Sequence, residues 1–118
     1  MCSFTFPKNE RLLNRKDFVN VNRLGKKDHT AHFTILCLGN RLGITRLGIT
    51  VSKRTGNAVK RNRIKRLIRE FYRVHKAHLP QGYDIVIIAK KGADHLDFWK
   101  IKQELGEFFS VKNRHVLS

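Results

Sequence analysis

The sequence predicts a single domain of the α/β (α+β) class. Three runs rich in β-branched and aromatic residues, at 31–38, 45–53 and 83–89, predict strands. Three other segments repeat their apolar residues with the period of an α-helix. The longest of these lies between the second and third strands, and a strand, a helix and a strand in succession imply a crossover connection. The 118 residues fit one domain whose core needs neither disulfide nor metal.

The N-terminal part of the chain predicts a short helix after an irregular arm. Residues 1–13 have mixed polarity and contain a proline, which is typical of an arm without regular structure. Asn14 is a good N-cap, and the helix that it begins runs from Arg15 to Arg23 and ends at Gly25. The polar residues 26–28 predict a loop.

The next two runs predict a hairpin. Residues 31–38, AHFTILCL, are largely apolar, and their Cys37 is typical of a small core residue because the chain has no CxxC motif. In residues 45–53 apolar and polar side chains alternate, which is the period of a strand with one buried face. The Gly39-Asn40 turn signal between the two runs predicts that they pair antiparallel.

A long helix follows the second strand. Thr55, Gly56 and Asn57 offer turn and capping chemistry, and no Gly or Pro interrupts the chain from Ala58 to Lys76. The apolar residues follow the i, i+3, i+4, i+7 pattern of a buried stripe. The stripe consists of Ile64, Leu67, Ile68, Phe71 and His75, flanked by Tyr72 and Val74.

The C-terminal part predicts a central strand and a last helix. Residues 83–89, YDIVIIA, are apolar at consecutive positions, so we expect this strand to be covered on both faces. A helix follows from about Asp97 to Ser110, with Asp94 or Asp97 as its cap. Residues 111–118 predict a frayed tail. The apolar stripe of the helix consists of Phe98, Ile101, Leu105, Phe108 and Phe109.

The charge balance predicts a polyanionic partner. The chain has 25 Lys and Arg residues against nine Asp and Glu, a formal net charge of +16, and its pI is about 10.7. Such a charge favours nucleic acid and a binding that weakens with salt. An anionic membrane is the competing partner, but no stretch approaches roughly 18 apolar residues and the N-terminus lacks the apolar core of a signal peptide. The sequence therefore predicts a cytoplasmic protein without a membrane partner.

Much of this charge lies on the outer face of the long helix. A charged helix face is ordinarily just solvated, but such faces mix Glu with Lys, whereas this helix has Glu70 alone. Arg outnumbers Lys here, and its guanidinium contacts phosphate bidentately. The positions opposite the apolar stripe are Asn62, Arg63, Lys65, Arg66, Arg69, Arg73 and Lys76.

No constellation of side chains predicts catalysis by the chain itself. A protein nuclease ordinarily holds divalent metals with several converging carboxylates, and most of the nine acids stand at cap or helix-surface positions. His75 and His78 are three apart, but a third zinc ligand is not evident. No GxxxxGK[ST] phosphate loop occurs. The sequence therefore predicts no catalytic residue and no metal ligand, and favours RNA binding.

The run LGITVSKRTGNAVKRNRIKRLIREFYR, from Leu47 to Arg73, resembles the signature of the bacterial ribonuclease P protein subunit. The hallmark of that signature is Arg61-Asn62-Arg63 followed by Ile64-Lys65-Arg66, and the likeness extends over roughly residues 9–110. It implies an α-β sandwich resembling domain 2 of ribosomal protein S5. There the long basic helix joins two parallel strands of a mixed sheet in a left-handed crossover. About 98% of such connections are right-handed, so this one is an exception.

The resemblance also implies a function. In that family the partner RNA is the catalyst, a magnesium-dependent ribozyme that removes the 5′ leader of precursor tRNA, and the protein assists it. A cleft between the helix and the sheet receives the single-stranded leader, and by resemblance its residues are Phe18, Asn22, Phe33 and Leu36. The residues implied to bind RNA are Lys53, Arg54, Asn57, Lys60, Arg61, Asn62, Arg63, Lys65, Arg66, Arg69 and Arg73.

Two positions of that cleft depart from the family's pattern. Asn22 and Leu36 stand where aromatic residues are common. Since stacking contributes ~1–3 kcal/mol per base, we expect this protein to hold the leader less by stacking and more by charge. Phe18 matches the family's aromatic, with plain core packing as its alternative role. Two rival classes stay open: a ribosomal or other structural RNA-binding protein, and a protein nuclease that cleaves RNA unaided.

Overall fold

The computed structural model describes residues 11, 15–40, 43–75, 79 and 81–115, and side chains up to residue 109. Several predictions fall on other residues: the arm at 1–13 apart from Arg11, the cap at Asn14, Lys76, His78, and the end of the tail at 116–118.

The described residues form three helices and four strands. In chain order they are α1 (Arg15–Leu24), β1 (Lys26–His29), β2 (Phe33–Gly39), β3 (Arg46–Val51), α2 (Ala58–His75), β4 (Tyr83–Ala89) and α3 (Phe98–His115). Two 3-10 turns, Lys53–Thr55 and Ala93–His95, precede α2 and α3. The α+β class and the positions of the three helices and three predicted strands are thereby confirmed.

The sheet is mixed, and β4 lies inside it as predicted. Its order is β1-β2-β4-β3, with β2 antiparallel and β3 parallel to β4. The crossover from β3 through α2 to β4 is therefore confirmed, while its left hand stays a prediction from the resemblance. The hairpin of β2 with β3 is wrong, because β4 separates the two strands.

The contacts of Asn40 explain why the turn signal predicted the wrong partner for β2. Its backbone N–H donates to the carbonyl of Gly82 at 2.8 Å, and its side-chain amide donates to Asp84 Oδ1 at 2.8 Å and to the Ile44 carbonyl at 3.0 Å. Asn40 thus contacts the start of β4. A Gly-Asn pair indicates that the chain turns but does not determine which strand lies next to it.

The loop predicted at 26–28 is wrong, since these residues begin β1. This strand pairs antiparallel with β2, from Lys26 opposite Cys37 to His29 opposite Thr34. Its side chains are mostly exposed, so the apolar alternation that reveals a strand is absent. Charged residues in a short edge strand are common in natural sheets.

The main core lies between one face of the sheet and the pair α2 and α3. From α2 it takes Ile64, Ile68, Phe71 and Tyr72, in the predicted stripe, whereas Val74 is exposed. Strand residues at odd positions such as Phe33, Ile35 and Cys37 point into the same core, as alternation requires. A smaller core of Val21, Leu36 and Val86 lies on the opposite face, beneath α1.

Both long helices begin at predicted caps. Asn57 Oδ1 accepts the backbone N–H of Lys60 at 3.0 Å, and Asp97 Oδ1 accepts that of Lys100 at 2.9 Å. Each therefore satisfies one of the free donors of a helix start. The α3 helix continues to His115, beyond the predicted end at Ser110, because no Gly or Pro follows Gly106.

Hydrogen bonds to Glu104 connect α3 with the turn between β1 and β2. Its carboxylate accepts the backbone N–H of His32 at 2.7 Å, contacts His32 Nδ1 at 2.8 Å, and accepts the Thr30 hydroxyl. Burial acts to raise the pKa of Glu104, but the hydrogen bonds from Thr30 and His32 outweigh it, so that the pKa lies below its ordinary value. The ionised carboxylate is therefore the form that stabilises the fold.

Glu104→Gln is expected to lower the free energy of unfolding at pH 7 by about 1–3 kcal/mol, because an amide replaces an acceptor that faces donors. Since folding lowers the pKa of Glu104, the wild type holds this advantage above the ordinary pKa of 4.5 and loses it as the pH falls through the folded value. Urea unfolding between pH 7 and pH 3 measures the difference. Exposed Glu107 on the same helix supplies the control, Glu107→Gln, and a difference independent of pH would contradict the assignment.

Candidate nucleic-acid interface

The outer side of α2 and the turn before it carry a group of cations that make no salt bridge within the described part of the chain. All of them are exposed except Lys65, which is half-buried. Together with exposed Asn62 they are termed the basic face. Its members are Lys53, Arg54, Asn62, Lys65, Arg66 and Arg69.

Three other predicted RNA-binding cations have partners inside the protein. Lys60 Nζ lies 3.4 Å from Asp94 Oδ2, and Arg63 Nη1 donates to the Leu96 carbonyl at 2.9 Å. Arg73 pairs with Glu70, and this hydrogen bond raises the pKa of Arg73 and lowers that of Glu70. These contacts position the three side chains and partly neutralise two of them.

Two further predicted RNA-binding residues, Asn57 and Arg61, stand at the start of α2 in different settings. The side chain of Asn57 is the cap of α2. The Nε–H of Arg61 is buried without a hydrogen-bond partner among the described residues, as is the hydroxyl of Thr55. Buried polar groups without partners cost stability, and each such group in a native protein calls for an explanation such as a functional role.

A cleft lies between α1 and the sheet, on the face opposite α2. Its volume is about 290 Å³, near the lower end of ligand-site volumes. Buried Leu36 and Val86 belong to the core beneath it, and exposed Val19 lies at its edge. This α1 cleft is lined by Arg15, Phe18, Val19, Asn22, Leu36, Thr50, Val86 and Ile88.

The structure brings together three of the four residues predicted for the cleft. Phe18, Asn22 and Leu36 line it. Phe33 does not, since it is fully buried in the main core on the other face. Phe33 and Leu36 stand three apart in β2, so strand alternation places them on opposite faces. The cleft is also bounded by α1, whereas the basic helix lies behind the sheet.

Sequence reasoning missed five residues that line the cleft. Val86 and Ile88 belong to the same face because Val86 lies opposite Leu36 in the β2–β4 register, and period-two alternation would have found them once that register was known. Arg15 and Val19 stand one turn from residues that were predicted. The remaining residue, Thr50, comes from the end of β3.

Arg46 holds α1 over the sheet. Its guanidinium donates to both carboxylate oxygens of Asp84, at 2.8 and 2.7 Å, and to Asp17 Oδ2 in α1 at 3.3 Å. The hydrogen bond to buried Asp84 raises the pKa of Arg46 above its ordinary value, against the opposing effect of burial. One guanidinium therefore bridges β3, β4 and α1, and sets the position of the cleft wall.

The α1 cleft and the basic face meet at the end of β3. Thr50 lines the cleft, and exposed Lys53 and Arg54 follow in the next turn of chain. Since consecutive Cα atoms are 3.8 Å apart, Thr50 and Lys53 lie within about 11 Å of each other. Two exposed cations therefore lie close to one end of the cleft.

Several acidic side chains and one histidine make structural contacts. Asp17 and Asp84 bind Arg46, and Asp97 caps α3. The ring of His75 stacks on Phe71 at 4.6 Å, and its Nδ1 lies 3.1 Å from the Phe71 carbonyl. Among the described residues, no three His, Cys, Asp or Glu side chains converge as metal ligands.

The helices in the described part of the chain include none that is both long and apolar enough to span a membrane. The two of greatest length, α2 and α3, each place charged residues on the side away from the core.

Comparisons with known proteins agree with this geometry. The family model described as Ribonuclease P matches residues 6–112. The ribonuclease P protein component of Desulforapulum autotrophicum is 48% identical over 109 residues, which cover 92% of this chain and 93% of the relative.

Solved structures of two further relatives have the same fold. The RNase P protein of Staphylococcus aureus aligns with a TM-score of 0.80 at 35% identity, over 92% of this chain and 98% of that one. The RNase P protein from Thermotoga maritima also gives a TM-score of 0.80 at 35% identity, over 86% and 96% of the two chains. The chain therefore belongs to the ribonuclease P protein family, the protein subunits of an RNA-based endoribonuclease of tRNA processing.

Proposed function

We propose that this chain binds the catalytic RNA of ribonuclease P through the basic face and holds the 5′ leader of precursor tRNA in the α1 cleft. The observation that carries the proposal is the junction of the two surfaces at the end of β3. Thr50 belongs to the cleft and Lys53 to the basic face. A single strand in the cleft thus continues onto the surface that binds the structured RNA.

The lining of the α1 cleft fits a single-stranded leader. Phe18 supplies one aromatic ring, while Leu36 and Val86 supply an apolar floor beneath it. Arg15 adds one cation to the lining. An apolar surface with one ring accepts a base, and an adjacent cation neutralises a phosphate, which is how single-stranded nucleic acid is ordinarily held.

The basic face fits the phosphates of a folded RNA. Arg66 and Arg69 are exposed on α2, and neither has an ion pair among the described residues. Arginine contacts phosphate bidentately, and each neutralised phosphate releases counterions. The face therefore supplies affinity that does not depend on base sequence, as expected for a surface that recognises the RNA by its backbone.

Catalysis in this proposal belongs to the RNA, with magnesium bound by the RNA. The carboxylates of Asp17, Asp84 and Asp97 already accept hydrogen bonds from the protein, so their role is structural. The protein's part is to hold the RNA and the leader in a fixed relation, which lowers the entropic cost of bringing substrate to catalyst. The proposed location is the cytoplasm, where bacterial precursor tRNA is made.

Arg66→Ala and Arg69→Ala are each expected to weaken binding of the ribonuclease P RNA and to flatten the plot of log affinity against log salt by about one unit or less, because each removes up to one phosphate contact. Filter binding over a range of KCl concentrations measures the slope. Lys26→Ala, which removes an exposed cation from β1 at the far edge of the sheet, serves as the control. Unchanged slopes for both arginine variants would assign the RNA to another surface.

Protein purified free of RNA is expected to leave precursor tRNA intact, whereas the ribonuclease P RNA alone is expected to cleave it at high magnesium concentration. The reason is that the described residues present no cluster that organises a metal-bound nucleophile. Gel analysis of the 5′ leader product measures both reactions. Release of the leader by RNA-free protein would show a protein nuclease, and co-purification with ribosomal RNA would indicate a ribosomal protein.

Phe18→Ala is expected to weaken binding of leader-bearing precursor tRNA to the holoenzyme by ~1–3 kcal/mol, because one stacked base is lost, and to leave mature tRNA unaffected. Both affinities and the melting temperature are measured on one preparation. Val21→Ala, a substitution in the fully buried core of the same helix, is the control and should lower stability without this selectivity.

Asn22→Phe is the reciprocal variant. Asn22 lines the same cleft, so an added ring should tighten binding of the leader-bearing substrate alone. If Phe18→Ala instead lowers stability by about 3–5 kcal/mol and impairs both substrates, then Phe18 is a core residue. If leader length has no influence on the affinity of any variant, the α1 cleft is not the leader site.

A further inference from the structure

Trp99 is the single tryptophan of the chain, and it is 68% exposed. It stands in the first turn of α3, just after the Asp97 cap. The core side of this helix is occupied by fully buried Ile101 and Leu105, and helical spacing turns Trp99 away from them. Core packing therefore does not account for this large apolar side chain.

The position of Trp99 follows from contacts on either side of it. Before it, the Leu96 carbonyl accepts a hydrogen bond from Arg63 in α2 at 2.9 Å. After it, Gly106 faces α2, since a Cβ there would lie 4.0 Å from Phe71 Cε1. Trp99 and Gly106 are seven residues apart and so lie on the same side of α3. Trp99 thus lies on the exposed surface of α3 near its border with α2, and the Leu96–Arg63 contact brings this end of α3 beside the basic segment of that helix.

The immediate surroundings of Trp99 are cationic. Lys102 Nζ lies 5.2 Å from the centroid of the indole ring, and Lys100 is exposed beside it. Phe98 packs edge-on against the indole at a centroid distance of 5.7 Å and supports it from the protein side. The nearby carboxylate of Asp97 accepts the Lys100 backbone N–H as the helix cap.

We propose that Trp99 and Lys102 form a stacking platform for an unpaired base of the ribonuclease P RNA, which extends the RNA interface from α2 onto α3. An aromatic ring with an ammonium group beside it suits a base and its phosphate. The surrounding charge favours RNA over a protein partner, because Trp99 lies next to the helix that carries most of the basic face. The inference rests on the proposed function, since its ligand is the same RNA.

Intrinsic fluorescence tests the platform directly, because Trp99 is the sole indole. The whole chain is titrated with ribonuclease P RNA of the same bacterium, made by transcription in vitro. Tryptophan emission and its quenching by acrylamide, which measures the accessibility of the indole, are recorded. We expect emission to be quenched and acrylamide access to fall as the complex forms. Emission that changes with protein concentration in the absence of RNA would overturn the proposal, because a second copy of the chain would then cover Trp99.

Affinity measurements on variants complete the test. Trp99→Ala is expected to bind the RNA about 5- to 150-fold more weakly, the range for one stacked base, with Trp99→Phe between it and the wild type. Leu24→Ala is the control, since Leu24 is 61% exposed at the end of α1, and its affinity should not change. The melting temperatures of these variants and the wild type should agree within the small differences that surface substitutions ordinarily cause.

The outcomes separate this inference from the proposed function. Suppose that Arg66→Ala and Arg69→Ala weaken RNA binding, whereas Trp99→Ala keeps the wild-type affinity and RNA does not change the emission of Trp99. The platform proposal is then wrong, and the proposal that RNA binds the basic face is retained. If neither the arginine variants nor Trp99→Ala changes the affinity, both proposals are wrong.

Discussion

Burial of β4 on both faces is the constraint on which the basic face and the α1 cleft depend. Ile85 and Ile87 pack beneath α2 and α3, whereas Val86 packs beneath α1. A strand of this kind is stable only when helices cover it on both sides. A shift of one residue in its pairing would exchange the two sets of side chains. The register of β4 therefore determines both the floor of the α1 cleft and the apolar surface on which α2 packs.

Most acids in the described part of the chain make contacts within the fold, which leaves much of the surface charge uncancelled. Asp84 is buried against Arg46, Asp94 pairs with Lys60, and Glu104 accepts hydrogen bonds from the β1–β2 turn. Each of these carboxylates stabilises a junction between elements. Because these three carboxylates are engaged within the fold and Glu70 is the single acid of α2, the field of the basic face stays strongly positive and reaches an approaching polyanion over about a Debye length.

Local patterns predicted the elements of this protein better than their arrangement. The stripe of Ile64, Ile68 and Phe71 and the apolar run of β4 depend on residues close in sequence, and both were found. The pairing of β2 with β4 depends on residues far apart, and the turn at Asn40 contains no information about it. The signature run located the basic face, but it did not show that Lys60 and Arg63 have internal partners. Phe33 stands three residues from Leu36 in β2 and therefore lies on the opposite face of the sheet from the cleft.

The edge strand β1 bears on whether copies of the chain can associate. Among the described residues it pairs on one side only, with β2, so no described strand engages the backbone groups of its other side. In the free protein a net charge of +16 keeps molecules apart. At short range the net charge of the whole molecule matters less, and the groups on the edge itself decide whether another chain can pair with it. A strand of only four residues that begins with Lys26 and Lys27 supplies a local barrier there, because short, charged edge strands resist pairing with another chain.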